Sequence, residues 1–198
     1  MVNNTNILRN LMSFGEDDFY MIQIIKRRKD NPEMKKGELL IKNFYVPSFE
    51  VFDELIPRIL RTCEFENGRA YMRPHKRNYK KLGMIVLRHV ANLISNNHNW
   101  LIQTAFDSMA GKHHSDPIKK WIIDVDRKDF DDDFPYEHVF LEVEKLVNSS
   151  GRDHKKIVKL PTKNGYHLIT PPFNIEQFKN IYPFITVYKD GSTLLICP

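Results

Sequence analysis

The sequence predicts an α+β fold, a mixed or antiparallel sheet with helices packed on it. Three observations predict it. Short runs rich in β-branched and aromatic residues alternate with amphipathic stretches of helical period through the second half of the chain. Turn signals at Asn164-Gly165 and Asp190-Gly191 separate pairs of short apolar runs, as in hairpins. The stretch Trp121-Ile122-Ile123 is apolar at every position, which suits a central strand buried on both faces.

The elements follow in order. Residues 1 to 15 are polar and read as partly mobile, with a short helical attempt at Ile7 to Met12. Phe19 to Ile25 and Glu38 to Val46 read as two strands of a hairpin around Asp30-Asn31-Pro32. Ser48 is placed to cap a helix whose inner face is Phe49, Phe52, Leu55, Ile56, Ile59, Leu60 and Cys63. Arg69 to Arg73 is a short strand, and Asn78 to Ile94 a helix. Residues 95 to 119 read as a long loop containing a short element, long enough to suggest function. Lys120 to Asp126 is a strand and Tyr136 to Val147 a helix. Ile157 to Leu160 and Tyr166 to Thr170 form a hairpin, and Asn174 to Ile181 a short helix. Phe184 to Tyr188 and Ser192 to Cys197 are expected to pair as a last hairpin across Lys189-Asp190-Gly191. Residues 1–64 would then form a hairpin-plus-helix layer on a core of residues 65–198, the two making one compact unit. The core would be of RNA-recognition or palm-like type.

Composition narrows the class. A chain of 198 residues can bury a core large enough to need no staples. Cys63 and Cys197 have no partners at metal-ligand spacing, so neither a zinc site nor a disulfide framework is expected. Two reduced thiols fit a cytoplasmic setting, the host's if the chain is viral. The N-terminus does not read as a signal peptide, and no apolar run approaches the ~20 residues that span a bilayer. The net charge is +5. The basic residues cluster at Lys26 to Lys29, Lys35-Lys36, Arg73 to Lys81, Lys119-Lys120 and Lys155-Lys156. Such clusters suit a polyanionic partner or a solvated surface. The acidic run from Asp129 to Asp133 would sit badly on a phosphate backbone.

Three stretches carry candidate chemistry. Asp124 and Asp126 lie two apart on a strand, so they project from one face at its C-terminal end. Two such carboxylates repel unless a hard cation such as Mg²⁺ or Mn²⁺ lies between them. The same residues also suit a strand end entering a solvated acidic turn. In Thr162-Lys163-Asn164-Gly165-Tyr166-His167, the glycine permits close approach of a ligand, Lys163 can meet a phosphate, and His167 can donate to one or bind a metal. An ordinary hairpin with a surface histidine is the plainer reading. Arg69, Arg73, His75, Lys76, Arg77 and Lys80 surround a strand-to-helix transition, which favours anions. His113 and His114 are adjacent but lack further ligands nearby, and no serine has a recognisable base beside it.

An apolar strand ending in Asp-x-Asp, a hairpin bearing a glycine and a histidine, and a later strand ending in an acidic residue resemble the archaeo-eukaryotic primase superfamily. The resemblance covers roughly residues 69 to 198 and suits a small phage or bacterial member. It implies template-directed or terminal nucleotidyl transfer in DNA replication, with Mg²⁺ or Mn²⁺ as cofactor and nucleic acid and nucleoside triphosphates as partners. Asp124, Asp126 and Asp190 would be the metal-binding acids. His167 and Lys163 would contact the incoming triphosphate. Arg69, Arg73 and Arg77 would be the phosphate or template contacts. A metal-dependent nuclease, or a non-catalytic nucleic-acid- or protein-binding module of the same fold, are the competing expectations.

Overall fold

The computed structural model describes residues 1–35, 37–130, 136–151 and 156–198. Lys36, Asp131 to Asp133 and Lys155, members of the charge clusters above, lie outside the described residues. The fold is α+β, and every strand pair among the described residues is antiparallel.

The first sheet contains β1 (Val2–Asn3), β2 (Asp18–Arg27), β3 (Glu38–Val46), β4 (Arg69–Met72) and β10 (Thr193–Cys197) in the order β1-β10-β4-β2-β3. The two-residue β5 (Arg77–Asn78) also pairs with β2. The expected hairpin of residues 19–46 forms, with Tyr20 opposite Val46 and Arg27 opposite Glu38. Helix α2 (Phe49–Glu66) starts where Ser48 accepts a hydrogen bond from the Val51 N–H and ends at Asn67, whose φ of 47° is left-handed. It buries Phe52, Ile59 and Cys63, and full burial of each large side chain is worth about 1.5–3 kcal/mol. Helix α3 (Tyr79–Ser95) is capped by Asn78. Most of the expected loop that follows is helical, as a 3₁₀ turn over Asn99–Thr104 and then α4 (Ala105–Lys112). Met109 and Ala110 of α4 pack with Phe19, Met21 and Leu82, a tertiary contact that holds this polar stretch in helical form.

The second sheet contains β6 (Trp121–Asp126), β7 (Val158–Pro161), β8 (Gly165–Thr170) and β9 (Thr186–Tyr188), in the order β7-β8-β6-β9. With α5 (His138–Ser149) after β6 and α6 (Ile175–Ile181) after β8, the connectivity is β-α-β-β-α-β. That is the ferredoxin-like pattern, with the first and third strands at its centre. Ile123, Val125, Tyr166 and Leu168 point to one face and pack with Val139, Val143 and Val147 of α5 and Phe178 of α6. The opposite face turns towards the first sheet. Ile122, Leu160 and Ile169 join a core that includes Ile22, Ile24, Met72, Phe52 and Leu195, so the two sheets share one interior.

Two expectations are corrected by this arrangement. The last two strands are not a hairpin: β9 pairs with β6 in the second sheet, and β10 pairs with β4 and β1 in the first. Lys189-Asp190-Gly191 carries the chain from one sheet to the other. The boundary expected at residue 64 also runs through the first sheet, because β4 and β10 lie on its far side in sequence and beside β2 in space. The N-terminus is anchored as well. Asn4 is fully buried, and its side-chain amide donates to the carbonyls of Pro161 (2.9 Å) and Leu194 (3.0 Å), one on each sheet.

Candidate functional site

The two sheets face each other across a cleft of about 520 Å³. Its second-sheet wall is built from Ile122, Asp124, Asp126 and His167. The register explains why they meet: Asp124 stands opposite His167 and Asp126 opposite Gly165, so one face of two neighbouring strands carries all the chemistry. Gly165 is required there. A Cβ at this position would lie 2.0 Å from the Val125 carbonyl oxygen.

His167 Nε2 stands 3.3 Å from Asp124 Oδ1. Its Nδ1 lies 2.9 Å from Thr193 Oγ1 on β10, a side chain that belongs to the opposite sheet and is fully buried. With Nε2–H donating to the carboxylate, Nδ1 accepts from the threonine hydroxyl. The ring is thus oriented by both sheets at once. The His167 hydrogen bond holds the Asp124 carboxyl below its ordinary value, although burial alone would raise it. Asp126 has Lys128 Nζ at 3.7 Å.

The facing wall is cationic. Arg27, Lys29, Arg69 and Arg73 reach the cleft from the first sheet, and Lys163 rims it from the β7–β8 turn. Arg27 contacts Glu38 (3.1 Å) and the Tyr71 hydroxyl (3.2 Å). Arg69 is 8% exposed and clamped to Asp30 at 2.7 Å, and Lys163 lies 3.8 Å from the same carboxylate oxygen. Arg73 has Gln23 Oε1 at 3.4 Å and Asp190 Oδ1 at 3.8 Å.

Two predicted site residues are placed elsewhere. Arg77 is 1% exposed, and its guanidinium donates to the carbonyls of Ala110 (2.8 Å) and His75. Burial pushes its pKa down to about 10. It ties β5 to α4 and does not line the cleft. Asp190 does not join Asp124 and Asp126. It stands with His75 and His114, whose candidate ligand atoms lie with its own within 4.8 Å of one another, a group that could hold a metal ion. The two imidazoles stack at 4.1 Å, and His75 Nδ1 is buried without a hydrogen-bond partner, 3.6 Å from Asp190 Oδ1. Its Nε2 accepts the Lys120 N–H at 2.8 Å, so the proton of the neutral ring sits on Nδ1 and faces Asp190. Burial, with His114 and Lys120 adding to it, pushes His75 down to about 4 and keeps it neutral. A metal ion bound at Nδ1 has to displace that proton and the Lys120 bond with it.

Sequence reasoning missed Thr193 and the meeting of His75 with His114. No local signal marks either, since the partners are 26 and 39 residues apart: Thr193 reaches His167 from the other sheet, and the chain after α4 returns His114 to the segment between β4 and β5. The chain matches no protein-family model, and no curated protein or solved structure is significantly similar to it.

Proposed function

We propose that the cleft binds a nucleoside triphosphate together with a divalent cation and carries out nucleotidyl transfer on nucleic acid, in the manner of the primase superfamily. One observation carries this reading: a carboxylate pair on one sheet faces Arg27, Arg69 and Arg73 on the other. Carboxylate oxygens are hard donors suited to Mg²⁺ or Mn²⁺. Guanidinium groups suit the oxygens of a polyphosphate, which they can grip in pairs. Among the described residues no third carboxylate or imidazole joins Asp124 and Asp126 as a three-ligand group. That fits Mg²⁺, which is held by one or two carboxylates and completes its shell with waters and substrate phosphates.

Asp124 and Asp126 would hold the cation. When bound, it neutralises phosphate charge and lowers the pKa of an attacking hydroxyl. Nε2–H of His167 would turn from Asp124 to a phosphate oxygen, while Thr193 keeps Nδ1 occupied and so decides which nitrogen faces the cleft. Arg73 and Lys163 would contact the polyphosphate. Arg69, fixed by Asp30, would contribute charge from a preset position, and electrostatic positioning of this kind dominates phosphoryl chemistry.

The test is incorporation of labelled nucleotide into primed and unprimed templates with Mg²⁺ or Mn²⁺. Extension is expected, with loss of at least a hundredfold in Asp124→Asn and Asp126→Asn. Thr193→Val should lower kcat more than it raises KM, and Thr193→Ser should restore it. Shortening of the nucleic acid, with no incorporation, would replace this reading by a nuclease. Binding without either reaction would replace it by a non-catalytic module.

A further inference from the structure

A second concavity of about 760 Å³ lies on the other side of the β6–β9 edge. The alternation of the strands divides the residues between the two. Ile122 and Tyr188 line the cleft, whereas their neighbours Trp121 and Lys189 line this groove. His114, Lys119 and Phe173 complete its working surface, and among the described residues no acidic side chain lines it. Lys189 Nζ stands 5.5 Å from the centre of the Trp121 ring, which packs edge-on against Phe173 at 5.4 Å. His114 Nδ1, in the groove wall, is buried and has no hydrogen-bond partner.

We propose that this groove holds single-stranded nucleic acid leaving the cleft across the β9 edge. The proposal deepens the nucleotidyl-transfer reading by giving the template strand a path. Lysines beside an indole face are what a single strand uses: the ammonium groups neutralise phosphates, and the ring accepts a base whatever its sequence. Lys189 is exposed and flexible, so it can surrender the indole face to a base and turn its charge to the adjoining phosphate. Tyr188 is 47% exposed at the same edge and offers a stacking surface on the cleft side. Tyr188, the last residue of β9, and Lys189, the residue after it, thereby serve a strand on both sides of the sheet. An acidic peptide would satisfy the lysines but would make no use of the indole.

The experiment uses Trp121 as its own reporter. Trp100 is 70% exposed, so Trp100→Phe leaves a folded full-length chain with one indole. Titration with a thymidine oligonucleotide of about twelve residues should quench Trp121 emission saturably. Lys119→Glu with Lys189→Glu should weaken binding at least tenfold and reduce the salt slope by about 1.4, since each single-strand phosphate contact contributes about 0.7. The quenching is read with neither nucleotide nor divalent cation present, so a failure of the catalytic reading does not mask a failure of the groove. The proposal is overturned if Trp121 is not quenched, if the double charge reversal leaves affinity and salt slope as they were, or if polyglutamate of equal charge quenches as strongly.

Discussion

Gly165→Ala tests how the candidate site is held together. A methyl group at residue 165 would place its carbon 2.0 Å from the Val125 carbonyl oxygen and 3.2 Å from Asp126 Cα. Contacts of a Cβ under 3.0 Å do not persist, so β6 and β8 have to part by about 1 Å beside Asp126. That opening breaks one or two ladder hydrogen bonds at about 1 kcal/mol each, and the overpacking itself costs about 1–3 kcal/mol. The expected loss is therefore about 2–5 kcal/mol, a large share of the about 5–15 kcal/mol that holds a domain of this kind. Urea unfolding at neutral pH reads it as a lower midpoint at unchanged slope. Gly83→Ala is the internal control. Gly83 lies inside α3 with open space where its Cβ would go, so the same chemical change should stabilise by about 0.4–1 kcal/mol. If Gly165→Ala costs no more than about 0.5 kcal/mol, the close approach of β8 to the Val125 carbonyl is not what sets the register of Asp124 against His167.

Two further outcomes follow from buried charge. Arg77→Met should destabilise by about 2–4 kcal/mol in the same unfolding assay, because it strips the Ala110 and His75 carbonyls of their donor in a dry place; a loss of nucleic-acid affinity with stability intact would instead put this arginine at the ligand. For Asp18, burial alone would raise the carboxyl, but hydrogen bonds from Lys76, Gly15 and Asn78 outweigh it and hold the group below its ordinary value. A depressed carboxyl stabilises the fold above its unfolded pKa of about 4, and that contribution disappears as pH falls through the folded value. With Lys76 Nζ at 2.6 Å, Asp18→Asn should cost about 1.5–3 kcal/mol at pH 7 and progressively less as the pH falls through the folded value. A gap between the two proteins that stays constant across that range would contradict the ion-pair account.

The sequence by itself determined what depends on neighbours along the chain. Period-two alternation put Asp124 and Asp126 on one face of a strand, Asn164-Gly165 marked the turn that returns β8, with His167, along β7, and Ser48 and Asn78 marked two helix starts. These features rest on side-chain alternation, tight turns and capping, all of which act over a few residues. Tertiary structure decided the rest. The same alternation that reads as a closing hairpin at residues 184–197 served two different sheets, because burial of β10 beside β4 and pairing of β9 with the free side of β6 override a local turn signal. Arg77, indistinguishable from Arg73 in a basic cluster, points under α4 while Arg73 points into the cleft. Asp190 follows the crossing turn to His75 and His114 and away from the other two aspartates, and Thr193 crosses from the opposite sheet to fix His167. Contacts of this kind join residues far apart in the chain, and only the packing of sheet on sheet and of α4 on the first sheet selects them.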